Sequence, residues 1–386
     1  MGSTSELAIL AGPHARSETP MSVELPTVLD RPYVYLYDPA TGSMFPGQLD
    51  GSKLAFILPG LNAGQERRLR FELGAHEHAL DGVKLTDGKE NGLSIQVNGQ
   101  PFTTYRYLPT GEFPVKARPF FYPLLGPSGV QMTRHFPMRS DVEGEKHDHP
   151  HHRGLWVAFG AVNGTDNWSE EKGHGFQTHQ KFTELTSGPV FGRFSEVLHW
   201  ETHEHQKVCE ELRSVTVWNL PRDGRLVDLS VTFLASNGPL KFGDTKEGGI
   251  CSIRVPTCMD GNKGGAIENS AGGRGEDENW GRSAHWVDYH GAVEGQRVGV
   301  ALLDHPFNLR HPTPWHVRDY GLFSANPFAH SYYKASLLQR GDYSVEAGGA
   351  LAFRYRIYFH RGDTRLGGVA SRWNEYAFPP QAKWTE

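Results

Sequence analysis

The sequence predicts an all-β protein, a large antiparallel β-sandwich with very few helices. Apolar and polar side chains alternate with a period of two in run after run, the pattern of a sheet with one buried face. Gly 45 and Pro 25 are frequent enough to end many short elements. Helical periodicity is scarce: only a turn at Asn167 to Lys172 and a short helix near Val369 to Tyr376 fit it.

Residues 1–28 are polar, contain Pro and lack periodicity, so a flexible N-terminal tail is expected there. A β segment over 29–90, packed on the main domain, follows with runs at Tyr33 to Tyr37, Leu54 to Leu58 and Leu69 to Leu73. The main domain is expected to span 91–386. It opens with Leu93 to Val97, the hairpin pair Asn98-Gly99 and Phe102 to Tyr107; Asn-Gly tolerates the positive φ of a tight turn. Arg193 to Trp200, Leu212 to Asn219 and Leu226 to Ala235 read as strands, the last two joined by the turn sequence Pro221-Arg222-Asp223-Gly224. Leu351, Phe353, Tyr355, Ile357 and Phe359 alternate with polar or small neighbours in the clearest strand of the chain.

The 386 residues suffice for a large core. Net charge is −5 with signs well mixed, which offers no field for nucleic acid or an anionic membrane. No apolar stretch approaches the length of a membrane span, and Met1 to Arg16 lacks a signal-peptide layout. Cys209, Cys251 and Cys258 show no paired spacing, so a cytoplasmic location is expected. Nine Trp and twenty His suit a site for something polar with flat apolar faces. Sugars answer that description, because their C–H faces stack on aromatic rings while their hydroxyls need hydrogen bonds.

The densest chemistry lies at Lys146 to Arg153, where four histidines, an aspartate and an arginine fall within eight residues. Imidazoles so close repel one another when protonated, so some are expected neutral near pH 7. Were the segment extended, His147, His149 and His151 would share one face, with Asp148 and His152 on the other. Pro150 favours an edge or loop, and Arg153-Gly154 leads into Leu155-Trp156-Val157 as a chain re-entering a sheet. Acid–base catalysis with substrate binding, a metal site using His149 and His151, and a polar loop all remain open for this block.

A second cluster, Gly243 to Gly249 with Arg254 following, offers Asp244 or Glu247 as a base and Lys246 as charge partner; an ordinary charged turn is the alternative. The third, Asp304 to Phe328, carries His305, His311, His316, Trp315, Arg318, Asp319, Tyr320 and four prolines. Pro pushes the preceding residue toward extended geometry, which suits a rigid binding wall. Trp280, His285, Trp286 and Asp288 make a weaker strip that packing at a rim would equally explain.

The segments D-H-P-H-H-R-G-L-W (148–156), F-G-D-T-K-E-G (242–248) and the long 304–328 run resemble a bacterial family labelled PmoA-like, or "methane oxygenase". N-S-A-G before Trp280 and W-V-D-Y at 286–289 fit as well, and the resemblance covers about residues 90 to 375. The label itself misleads, since a membrane-embedded monooxygenase subunit needs spans this chain lacks. The resemblance implies a relative of the galactose-mutarotase-like supersandwich, whose sites move protons on sugars with His and a carboxylate, and a place in carbohydrate catabolism. It carries over to His149, His151, His152, Arg153, Asp244, Lys246, Glu247, His305, His311, Arg318, Asp319 and Tyr320.

The expectation is therefore an acid–base enzyme, lyase-, hydrolase- or epimerase-like, acting on a keto-sugar or its glycoside. Catalytic roles are expected of His149, His151, His152, Lys246, Glu247 and His311. Substrate binding is expected of Arg153, Trp156, Asp244, Arg254, Trp280, His305, Trp315, Arg318, Asp319 and Tyr320. No cofactor is required by the sequence. A divalent metal on the His cluster, in a hydrolase or oxygenase, is the alternative, and a non-catalytic carbohydrate-binding module the third reading. The expected partner is a small carbohydrate, not nucleic acid or membrane, and nothing in the sequence sets an oligomeric state. No Gly-rich turn joins a strand to a helix, and no G-x-S-x-G elbow occurs, which disfavours dinucleotide and serine-hydrolase chemistry.

Overall fold

A computed structural model describes residues 6–27, 29, 31–72, 82–222, 224–333 and 340–385. It is all-β, and its two α-helices among the described residues are Gly275–Asn279 and Val369–Ala377. Two eight-stranded antiparallel sheets form the main sandwich. The first, called here the site sheet, runs in the order 315–317, 322–325, 248–254, 155–159, 120–124, 100–106, 93–97, 83–87. The second, the middle sheet, runs 176–186, 191–201, 207–218, 225–234, 350–361, 296–304, 286–293, 266–269. Their facing residues build one large apolar core. Val157, Ile253, Trp315 and Phe323 come from the site sheet, and Phe194, Val231, Leu302 and Phe353 from the middle sheet.

A seven-stranded sheet has a separate core around Leu7, Leu36, Phe56 and Leu69. It packs with the helix Val369–Ala377 on the outer face of the middle sheet, where Ala55 and Ile57 meet Trp218, Leu226, Leu303 and Val369. The Gln48 carboxamide oxygen accepts from the backbone N–H groups of Val190 and Phe191, and Arg193 grips Asp50 through two bonds of 2.9 and 2.8 Å.

The N-terminal stretch differs from a flexible tail. Glu6–Leu10 and Thr19–Glu24 are strands of the seven-stranded sheet, and Leu7, Ile9, Met21 and Val23 are in its core. Their short apolar runs are hidden in sequence by polar neighbours, and long-range pairing rather than local pattern fixes them. The division at residue 90 is crossed twice. Val83–Asp87 pairs with Leu93–Val97 in the site sheet, while Gln381–Thr385 pairs with Glu6–Leu10. Leu73 and Asp223 lie outside the described residues. No helical turn forms at Asn167 to Lys172; the Asp166 carboxylate instead accepts from the N–H groups of Trp168 and Ser169 and from the Ser169 hydroxyl.

Strand alternation positions the site. Along 155–159, 248–254, 315–317 and 322–325, the residues between core positions face outward: Trp156, Ala158, Ser252, Arg254, His316, Leu322 and Ser324. Trp156, Ala158 and Leu322 belong to a small apolar cluster of their own with Phe120, Tyr122 and Trp168. A face this polar-edged, covered by loops, forms the floor of the cleft described next.

Candidate functional site

A cavity of about 400 Å³ opens on the outer face of the site sheet, lined by His149, His151, His152, Trp168, Lys246, Glu247, His316, Arg318 and Tyr320, with Asp166, Ser169, Glu171 and Leu322 completing the wall. Three segments far apart in the chain, 149–152, 246–247 and 316–322, therefore meet around one hollow.

The histidine segment is not extended. It turns, with the His152 N–H donating to the His149 carbonyl at 3.0 Å, and His149 sits in the left-handed region at φ 47°. That turn stacks His149 on His152 with ring centroids 4.9 Å apart; Tyr320 stacks on His149 at 4.7 Å and lies 6.5 Å from His152. His147 leaves the group and stacks on Phe136. Gly154 closes the segment because its φ is 59° and a Cβ there would lie 2.1 Å from the Phe121 carbonyl oxygen.

Buried arginines hold the turn from behind. Arg118 donates to the carbonyls of His151, Asn167, Trp168 and Ser169, tying the two loops together. Asp148 Oδ1 accepts from Arg134 and Arg254, each at 2.8 Å. Burial would raise the Asp148 pKa, but Arg254 and Arg134 hold it below the usual carboxylate range. Arg254 Nη1 also donates to His152 Nδ1 at 2.7 Å. A guanidinium only donates, so His152 accepts at Nδ1 and its neutral form carries its proton on Nε2.

Three of the cavity's imidazoles, His151, His152 and His316, are kept neutral. Burial, then Arg118 and His149, pulls the His151 pKa down to about 4. Burial, then Arg318 and Lys246, takes His316 to about 3. Burial, with His151 and Arg254, leaves His152 well below the ordinary value. His316 lies beside the backbone of Lys246 and Gly248, yet neither ring nitrogen makes a well-formed hydrogen bond among the described residues.

The 246–247 loop brings an ion pair to the cavity. Lys246 Nζ donates to Glu247 Oε1 at 2.6 Å, and both side chains are partly exposed. Their loop is fixed from three sides. Thr245 Oγ1 accepts from the Glu247 N–H, Gly160 N–H donates to the Glu247 carbonyl, and Asn326 donates to the Thr245 carbonyl. Such a site combines imidazole proton donors and acceptors, one ammonium (Lys246), one guanidinium (Arg318), three carboxylates (Asp166, Glu171 and Glu247) and two aromatic walls.

Other expected residues lie elsewhere. Arg153 is nine-tenths buried and bound to Glu170 by two bonds of 2.7 and 2.8 Å, so it braces the loop. Arg254 is on the site face but fully buried, as a support to His152. Trp156 is buried beneath His152 at 5.4 Å. Trp315 is in the sandwich core, because alternation turns it inward when His316 turns outward; its Nε1 donates to the Ala284 carbonyl. Asp244 accepts from the N–H groups of Ser331 and Gly341 and holds that loop. Asp319 exchanges bonds with Glu276 at the cleft's edge.

His311 and His305 are on the other side of the molecule. The 304–328 run begins at the end of a middle-sheet strand and ends in the site sheet, so its first half never reaches the cavity. There His311 bonds Asp304 at 2.7 Å and His285 at 3.1 Å beside Trp373, and His305 packs against Phe307 and Tyr376. Among the described residues, no three His, Cys, Asp or Glu side chains are grouped to hold a metal ion, so His149 and His151 have no third donor in place. Asp166, Trp168 and Glu171 were not singled out by the sequence, and His316 only as one of several histidines. The signal for the first three was present as D-N-W-S-E-E-K, a polar and aromatic run in the loop that follows the strand 155–159.

These features describe a β-sandwich protein with an imidazole-lined cleft on the outer face of one sheet. The chain belongs to a family of unknown function, DUF6807, whose model matches residues 92–374; it carries no methane-oxygenase label. No curated protein matches. Among solved structures the chain is similar to an alpha-mannosidase from Enterococcus faecalis V583. Identity is 11% over 99% of this chain and 46% of that one, with a TM-score of 0.44. It is also similar to a protein in glycosyl hydrolase family 38 from Enterococcus faecalis, at 10% identity over 100% of this chain and 48% of that one, with a TM-score of 0.46. The chain spans about half the length of these two structures. No helix among the described residues is long and apolar enough to cross a membrane.

Proposed function

We propose that this protein is a carbohydrate-processing enzyme that moves protons on a sugar, a keto-sugar or its glycoside, in the cavity between 149–152 and 246–247. The observation that supports it most is that convergence: neutral imidazoles, a Lys–Glu pair and two aromatic rings line one hollow of about 400 Å³. That volume lies within the range of about 300–1,000 Å³ usual for small-molecule sites. Trp168 and Tyr320 supply flat faces for C–H stacking, and the imidazole nitrogens supply hydrogen-bond partners for hydroxyls.

In this reading a ketone acidifies the neighbouring C–H. Glu247, or His149 in the same cavity, takes that proton, and the electron pair moves onto the carbonyl oxygen. Lys246 stabilises the resulting enolate in place of Arg153, which Glu170 occupies. In an elimination the proton taken from carbon passes to the departing oxygen, which His152, whose neutral form bears its proton on Nε2, is suited to hydrogen-bond; returning that proton to carbon instead gives epimerisation.

Incubation with 3-keto-glucosides in D2O, followed by mass spectrometry and NMR, tests the proposal. Deuterium uptake at the carbon beside the ketone, lost in Glu247→Gln or Lys246→Met, is expected. Neither uptake nor turnover would overturn it. Metal analysis of protein purified without an affinity tag checks the metal alternative, which predicts a stoichiometric ion and activity lost on chelation. Saturable sugar binding with no reaction in any assay would instead leave a binding module.

A further inference from the structure

A second cavity of about 420 Å³ adjoins the first. The two share Lys246 and Arg318, so these cations form the sill between them. The far compartment is walled by Glu276, Asp277, Trp280, Arg282 and Tyr332. Resting on the carbohydrate reading above, we infer that the substrate is a two-ring glycoside: one ring lies among the imidazoles and the second in the Trp280 compartment.

The compartment is built rather than incidental. Arg318 Nη1 donates to Glu276 Oε1 at 2.6 Å, and its guanidinium carbon lies 5.5 Å from the Trp280 ring centroid. The Asp319 N–H donates to Glu276 Oε2 at 2.8 Å while Asp319 Oδ1 accepts from the Glu276 N–H at 3.2 Å, which locks residues 276 and 319 together. Trp280 is braced edge-on by Tyr333 at 5.1 Å. Gly281 behind it, at φ 70°, approaches so closely that a Cβ would lie 2.7 Å from the Tyr333 ring.

Its chemistry selects the class of ligand. Arg318 is paired with Glu276 and Lys246 with Glu247, and Arg282 shares the compartment with Asp277, so the cations are offset by carboxylates and leave no strong field for a phosphate. What remains is a half-buried indole beside carboxylates and cationic donors, the combination that stacks on a sugar's C–H face and hydrogen-bonds its vicinal hydroxyls. A single monosaccharide would leave the second compartment unused. A two-ring glycoside places the linking oxygen near Lys246 and Arg318, where a departing alkoxide would be met by positive charge.

Calorimetric titration of the full chain with a panel of disaccharides and the matching methyl glycosides tests this. Wild type should bind at least one disaccharide about tenfold more tightly than its methyl glycoside, the order expected of one aromatic face plus hydrogen bonds. Trp280→Ala should collapse that ratio toward one, and Trp280→Phe should restore most of it, with circular dichroism confirming that both variants are folded. Methyl glycosides bound as tightly as every disaccharide, or a ratio untouched by Trp280→Ala, would overturn the two-ring inference alone. No binding of either class would overturn the carbohydrate reading and this inference with it.

Discussion

Replacing Arg254 by Met removes the donor that sets the state of His152. Arg254 is fully buried, donates to His152 Nδ1 at 2.7 Å and to Asp148 Oδ1 at 2.8 Å, and lies 4.6 Å from the Tyr320 ring centroid. Its pKa falls to about 10, through burial first and the nearby Arg134 second, so it stays charged at neutral pH. Removing one member of a buried ion pair costs about 3–5 kcal/mol, because the other is left uncompensated. Asp148 keeps Arg134 at 2.8 Å, which places the expected loss at the lower end, about 3 kcal/mol. Urea unfolding followed by tryptophan fluorescence measures it, and nitrogen NMR of labelled histidine reads the tautomer. Wild type should show the Nε2-protonated form of His152 at pH 7, and the variant should admit the Nδ1-protonated form. A stability loss under about 1 kcal/mol with an unchanged tautomer would refute the reasoning.

Acid should destabilise the fold before most carboxylates titrate. His151 and His316 stay neutral in the folded chain down to about 4 and about 3, against an ordinary value of 6.5. Below about pH 6.5 the unfolded chain binds protons that the folded chain refuses, so this stability is complete above that pH and declines as pH falls toward 4 and 3. Urea midpoints between pH 7 and 4 should show the decline, and His316→Leu should flatten it; equal slopes in the two proteins would count against the assignment. Arg153→Met should lower stability by about 3 kcal/mol by leaving buried Glu170 with only Arg118 at 3.8 Å. A lost reaction at unchanged unfolding midpoint would instead put Arg153 at the substrate.

The sandwich was legible because its strands carry a period of two over long runs, as in Arg225–Leu234 and Ala350–Arg361, which pair with each other along their whole length. The N-terminal strands were not, since Glu6–Leu10 has five residues and is defined by partners at Glu66–Glu72 and Gln381–Thr385. At the site, residue types announced the His turn and the Lys–Glu pair, while strand phase decided who faces the cleft. Trp315 and His316 are neighbours of similar promise in sequence, yet one is core and the other cavity wall. His311 misleads for a different reason: five residues before the cavity-lining His316, the chain is still crossing from the opposite sheet, and sequence proximity hides that passage.

The four buried arginines around the His turn carry a further consequence. The hydrogen bonds that Arg118, Arg134, Arg153 and Arg254 make go to carbonyls, to His152 or to Asp148, Asp260 and Glu170. They stand behind the imidazoles, and their positive charge opposes protonation there; for His151 and His152, Arg118 and Arg254 act in the same direction as burial. Burial first, with Arg118 and Arg254 adding to it, thus keeps His151 and His152 neutral. On the proposed reading, the charge that a sugar would meet comes instead from Lys246, Glu247 and Arg318, with Asp166 and Glu171 also in the lining. An anion developing on substrate would raise the pKa of the nearest imidazole, so that a histidine idle as an acid in the free protein becomes able to hold a proton when the enolate forms. The same burial that makes these groups poor bases at rest makes them responsive to that one new charge.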